Sequence, residues 1–110
     1  MKGNMRIQTL NVEAIEITDA PNLDTIQVFW TNFEPNRGSV TICCYGSAWT
    51  AYFGGMGSPS IQEFFAGAPT DYLVIKLGIT PQLKQAKANL VYLARIVNAV
   101  KAALAVEASE

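Results

Sequence analysis

Tyr45, Trp49, Tyr52 and Phe53 fall within a stretch, Cys43 to Gly57, that holds no Asp, Glu, Lys or Arg. Aromatic rings gathered in this way can form a stacking platform for a base or a proline-rich segment. On a strand Trp49 and Phe53 would share one face and Tyr52 the other, so one set is core and the exposed set is the candidate contact. Gly54, Gly55 and Gly57 follow at once, ahead of a helix start, where free backbone N–H groups can hold an anion. That corner lacks the Lys-Ser/Thr of a phosphate loop and the spacing of a dinucleotide fingerprint. Farther on, Lys84, Lys87 and Arg95, with Lys101 at the edge, line one side of a helical pattern with no acid among them, a surface able to dock an acidic partner or a nucleic-acid backbone. The candidate partner-binding residues are therefore Tyr45, Trp49, Tyr52, Lys84, Lys87 and Arg95, and the candidate anion- or ligand-binding residues are Gly54, Gly55 and Gly57. Each set also has an architectural use: rings as core, glycines as a strand-to-helix corner, lysines as a solvated helix face.

The chain has no histidine. That removes Ser-His and Cys-His nucleophile pairs, His-ligated zinc and the commonest general base near neutral pH. Ser47, Thr50, Ser58 and Ser60 therefore lack an activating imidazole, and no Ser-x-x-Lys is present. Cys43 and Cys44 are adjacent, so on a strand they point to opposite faces, and two thiols are too few for a structural zinc site. The acids are spaced irregularly and fit no calcium loop. No catalytic residue, metal or cofactor is assigned, and a non-enzymatic protein is expected.

The elements that must position these residues begin with strands. Residues 6–18 alternate at Leu10, Val12 and Ala14 and then change phase to Ile15 and Ile17, which predicts a strand with a bulge near Ala14. Asp19 to Asp24 is a turn. In the next strand, about 24–34, Ile26, Val28 and Trp30 share one face while Gln27, Phe29, Thr31 and Phe33 share the other, so both faces carry aromatics. Glu34 to Gly38 reads as a hairpin loop with Gly38 supplying positive φ. Strands at about 39–46 and 48–54 complete an antiparallel meander. Two short helices follow, the first capped by Ser58 or by Ser60 with Glu63, the second beginning at Pro69-Thr70-Asp71 and stopped by Gly78. Thr80 and Pro81 open a long amphipathic helix over about 81–106, whose stripe Leu83, Ala86, Leu90, Leu93, Ile96, Val97, Val100 and Leu104 would lie on the sheet. The expected fold is α+β, one domain over residues 1–110.

Half of the 110 residues are hydrophobic and 15% are charged, a low share that favours self-association or a partner. A net charge of −1 argues against nucleic acid as the partner. The charges are nonetheless segregated: acidic from Glu13 through Glu34, basic from Lys76 through Lys101. The amino terminus has no apolar run of signal-peptide length, and no segment offers about 20 uninterrupted apolar residues for a membrane span. A soluble cytoplasmic protein, without membrane contact and homo-oligomeric, is expected.

Phe29-Trp30-Thr31-Asn32-Phe33-Glu34-Pro35, then Val40 through Gly57, Tyr72-Leu73, and Tyr92-Leu93-Ala94-Arg95-Ile96 together resemble small accessory proteins of tailed phages and prophages of enteric bacteria. The resemblance implies a protein that binds and modulates or inhibits a host protein, a defence system among the candidates. It transfers no catalytic residue. The alternatives are sequestration of a small ligand or nucleotide, held between Tyr52 and the glycine corner with Arg95 or Lys84 on its phosphates, and an accessory role in phage DNA metabolism.

Overall fold

Alternating apolar residues put one side of each central strand out of water. The computed structural model describes residues 5–78 and 87–108. In it the chain forms β1 (Val12–Ile17), β2 (Ile26–Glu34), β3 (Arg37–Cys44), β4 (Ser47–Phe53), α1 (Ile61–Gly67), α2 (Thr70–Gly78) and α3 (Lys87–Ala108). The four strands lie in sequence order in one antiparallel sheet. This is the expected α+β meander followed by two short helices and a long one. Residues 81–86, with the Pro81 start, Leu83, Lys84 and Ala86, fall outside the described residues.

All three helices share one face of the sheet. Ile26, Val28 and Trp30 of β2, Val40, Ile42 and Cys44 of β3, and Ala51 and Phe53 of β4 are buried beneath them. Trp30 meets Phe65 of α1 edge to face, with ring centroids 5.3 Å apart. Ile61, Leu73, Leu77, Leu93, Ile96, Val97 and Val100 close the core from the helix side. By length and composition Asn89–Glu107 of α3 could cross a membrane, although Arg95 and Lys101 interrupt its apolar run. Its stripe Leu93, Ile96, Val97, Val100 and Leu104 is instead buried against the domain.

Three local expectations are corrected. β1 pairs with β2 from Val12↔Thr31 to Ile17↔Ile26 with no bulge at Ala14; the irregularity lies between β2 and β3, at Asn32/Glu34. The phase change in β1 reflects an edge strand that offers only Ile15 and Ile17 to the core, while Leu10 and Val12 stay exposed. In the β2–β3 hairpin it is Asn36, at φ 77°, that takes the left-handed conformation. Gly38 is buried within β3 for a different reason: a Cβ there would lie 2.9 Å from Ile61 Cβ and from the Thr31 carbonyl oxygen. The second helix runs through Gly78. Between β3 and β4, Tyr45 (φ 50°) and Gly46 (φ 76°) make a two-residue turn of the primed kind.

Of the two possible caps for α1, Ser60 is used. Its hydroxyl oxygen accepts from the Glu63 N–H at 3.2 Å, and the Glu63 carboxylate accepts from the same hydroxyl at 3.3 Å.

Candidate functional site

Alternation along β4 sorts the aromatic run. Trp49, Ala51 and Phe53 turn towards the helices; Tyr52, 57% exposed, turns to the face that none of the described helices covers. Its ring lies 6.1 Å from that of Phe33. The Arg37 guanidinium stands 5.0 Å from the Phe33 centroid, and its Nη1 donates to the Tyr52 hydroxyl at 3.4 Å. Arg37 Nε donates to the Glu34 carboxylate at 2.8 Å. The Tyr52 and Glu34 contacts together favour the charged guanidinium and raise its pKa. The cluster is thus aromatic and internally charge-balanced.

Next to it on the same open face lie Phe29, Thr31, Thr41, Cys43 and Thr50, placed there by the strand register. Thr41 and Thr50 share a hydroxyl contact at 3.1 Å, and Thr50 Oγ1 donates to the Val40 carbonyl. At the far corner Gln27 donates to Glu16 at 3.1 Å. The result is a surface with few charges, those at its margins partnered, and with Val12, Phe29, Phe33 and Tyr52 exposed.

The other residues singled out by sequence lie elsewhere. Trp49 packs on the helix side, 6.3 Å from Tyr92. The Tyr92 hydroxyl meets Cys44 Sγ at 3.4 Å; that contact, with burial second, pushes the phenol up to about 12. Tyr45 projects from the turn at the end of the sheet, 79% exposed. Arg95 Nη2 donates to the Asn22 carbonyl at 2.9 Å and Lys101 Nζ to the Ala68 carbonyl at 2.5 Å, so both cations fasten α3 to neighbouring loops. Lys87 begins α3. Tyr52 and Arg95 stand on opposite sides of the sheet, so one ligand cannot bridge them.

The protein itself takes up part of the glycine corner. Asn36 accepts from the Met56 N–H through its carbonyl and from the Gly57 N–H through Oδ1, and its own N–H donates to the Ser58 carbonyl. The Ile61 N–H at the start of α1 donates to Asn32 Oδ1 at 2.7 Å. The donors an anion would need at Met56, Gly57 and Ile61 are already spent. Gly54 serves Tyr52, since a Cβ there would approach that ring to 3.2 Å.

Between α1 and α2 opens a groove of about 430 Å³, walled by Phe64, Pro69 and Tyr72, with Ser58 and Glu63 at its rim. Phe53 backs it, 4.9 Å from Phe64. Among the described residues no group of three His, Cys, Asp or Glu side chains could hold a metal.

Phe29, Phe33 and Arg37 were not among the residues selected from sequence. The signal for the two rings was their alternation with Ile26, Val28 and Trp30; Arg37 gave none, because its contacts depend on how the hairpin closes.

Among the described residues, helices cover one side of the single sheet and none covers the aromatic-bearing other side, which defines a two-layer α+β domain. The family model Phage_phiTE_072, described as a phage family, matches residues 5–89. The chain belongs to this phage protein family. No curated protein and no solved structure matches it.

Proposed function

We propose that this phage-family protein is a non-enzymatic accessory protein that binds a host protein and modulates or inhibits it, through the open face of its sheet. The observation that carries the reading is the Phe29, Phe33 and Tyr52 surface, left uncovered by the described helices. Phe29 and Phe33 keep 36% of their surface exposed and Tyr52 57%, so each leaves unrealised a part of the roughly 1.5–3 kcal/mol that full burial supplies, a part that a partner on this face would recover. A host defence component is one candidate target.

The test uses the full-length protein as bait in bacterial lysate at low and high salt, beside Phe29→Glu and Tyr52→Ala. The expected result is one host protein retained at both salt concentrations by the wild type and lost by both variants, with their circular dichroism unchanged. Retention by both variants would sink the reading.

A second reading, sequestration of a small ligand, is favoured by the Phe64–Tyr72 groove, whose volume lies in the range of ligand pockets. A ligand at 100 times its Kd stabilises the fold by about 2.7 kcal/mol, so a thermal-shift screen against nucleotides and apolar metabolites would find one. A flat screen removes this second reading.

A further inference from the structure

The sheet has two edges of different character. β1 carries Glu13 and Glu16, and Glu13, opposite Trp30 in register and so on the helix side, accepts from Gln62 at 3.0 Å. Charges of this kind blunt an edge against further pairing. β4, Ser47–Phe53, is seven residues long with no charge, no proline and no break in its register with β3.

The two-residue Tyr45-Gly46 turn fixes the phase of the β4 ladder. Main-chain groups of Ser47, Trp49, Ala51 and Phe53 face β3, and those of Ala48, Thr50 and Tyr52 face outward. Among the described residues no backbone group pairs with them.

We infer that β4 is a self-association edge, pairing antiparallel with β4 of a second copy about a two-fold axis at Thr50. The side chains select that occupant and that register. Thr50 lies opposite Thr50 of the partner subunit, Ala48 opposite the partner's Tyr52, Trp49 opposite the partner's Ala51, and Ser47 opposite the partner's Phe53. Every large side chain on β4 meets a small one, on both faces of the sheet. Moving the axis to Trp49 sets Trp49 against Trp49 of the partner subunit, and moving it to Ala51 sets Trp49 against the partner's Phe53. The Thr50 register forms about six main-chain hydrogen bonds and brings no like charges together. The guarded β1 edges then face outward, so association closes at two copies instead of running on as a fibre. The two open faces join into one broader surface, leaving Phe29, away from the axis, free for a different partner.

Sedimentation velocity and light scattering on the full chain test this, with Thr50→Lys and, in a Cys43→Ser background, Thr50→Cys. The expected result is a concentration-dependent dimer for the wild type and a folded monomer for Thr50→Lys. On mild oxidation Thr50→Cys should give a covalent dimer, because Cα atoms of such a pair lie about 5.5 Å apart, within disulfide reach. Should Thr50→Lys fail to fold, Thr50→Cys decides: a cross-linked dimer supports the edge, and its absence overturns it. A wild type that is monomeric at the highest soluble concentration overturns the inference. So does a dimer that survives Thr50→Lys. Phe29→Glu should leave the dimer intact, so loss of host binding and loss of self-association are told apart.

Discussion

On the covered face of the sheet Trp30 is 1% exposed; on the open face Phe29, one residue earlier in the same strand, is 36% exposed. Both are large rings in the middle of the molecule. What separates them is what lies opposite: Phe65 meets Trp30 within the core, whereas Phe29 has Ala14 and Thr41 as cross-strand neighbours and, among the described residues, no helix above. One face converts its rings into stability; the other keeps them available. The sheet is therefore both the scaffold of the core and the candidate contact surface.

Four substitutions break or sharpen that contrast. Trp30→Ala should cost about 3–5 kcal/mol in a denaturant titration, the toll of an empty core site under α1. Gly38→Ala should come next, at about 1–3 kcal/mol, because its Cβ collides with Ile61 and with the Thr31 backbone. Tyr92→Phe should lose about 1 kcal/mol, that of one hydrogen bond. It should also change the alkaline limb. The Tyr92 phenol ordinarily titrates at 10.0 and is held to about 12 in the fold, so wild-type stability includes a contribution fully present below pH 10 and lost as pH rises towards 12. Stability of the variant measured across that window should fall less steeply. Phe29→Thr should cost least, under about 1 kcal/mol, since it trades one β-forming residue for another on an open surface. If Phe29→Thr destabilised the protein as much as Trp30→Ala, the open face would be a second core and the contrast would fail.

Much of this organisation was legible in particular residues. Ile26, Val28 and Trp30 alternate with Gln27, Phe29 and Thr31, and that pattern defines both the strand and its two aromatic faces. Ser60 and Glu63 mark the start of α1, and Leu93, Ile96, Val97 and Val100 mark the buried side of α3. What was not legible depends on residues distant in sequence. Gly38 looked like a turn glycine because both Asn36 and Gly38 can take positive φ; only the approach of Ile61 shows its use. Gly57 looked like part of an anion cradle until Asn36 was seen to take its N–H. Arg95 looked like a surface cation, and its partner is a carbonyl 73 positions earlier. For the candidate site, Tyr52 could be placed by alternation once Phe53 was assigned to the core, whereas the Phe33–Arg37–Tyr52 cluster required the closed hairpin.

The neighbouring thiols give the molecule two chemical clocks. Cys43 lies on the open face and is partly accessible, while Cys44 is buried against Tyr92 and the Asp24 carbonyl. A thiol-specific reagent would modify Cys43 at a rate that drops when anything covers the open face, and Cys44 only as often as the core opens. Two sulfur atoms one residue apart thus time occupancy and unfolding separately, in a single reaction on the unlabelled protein.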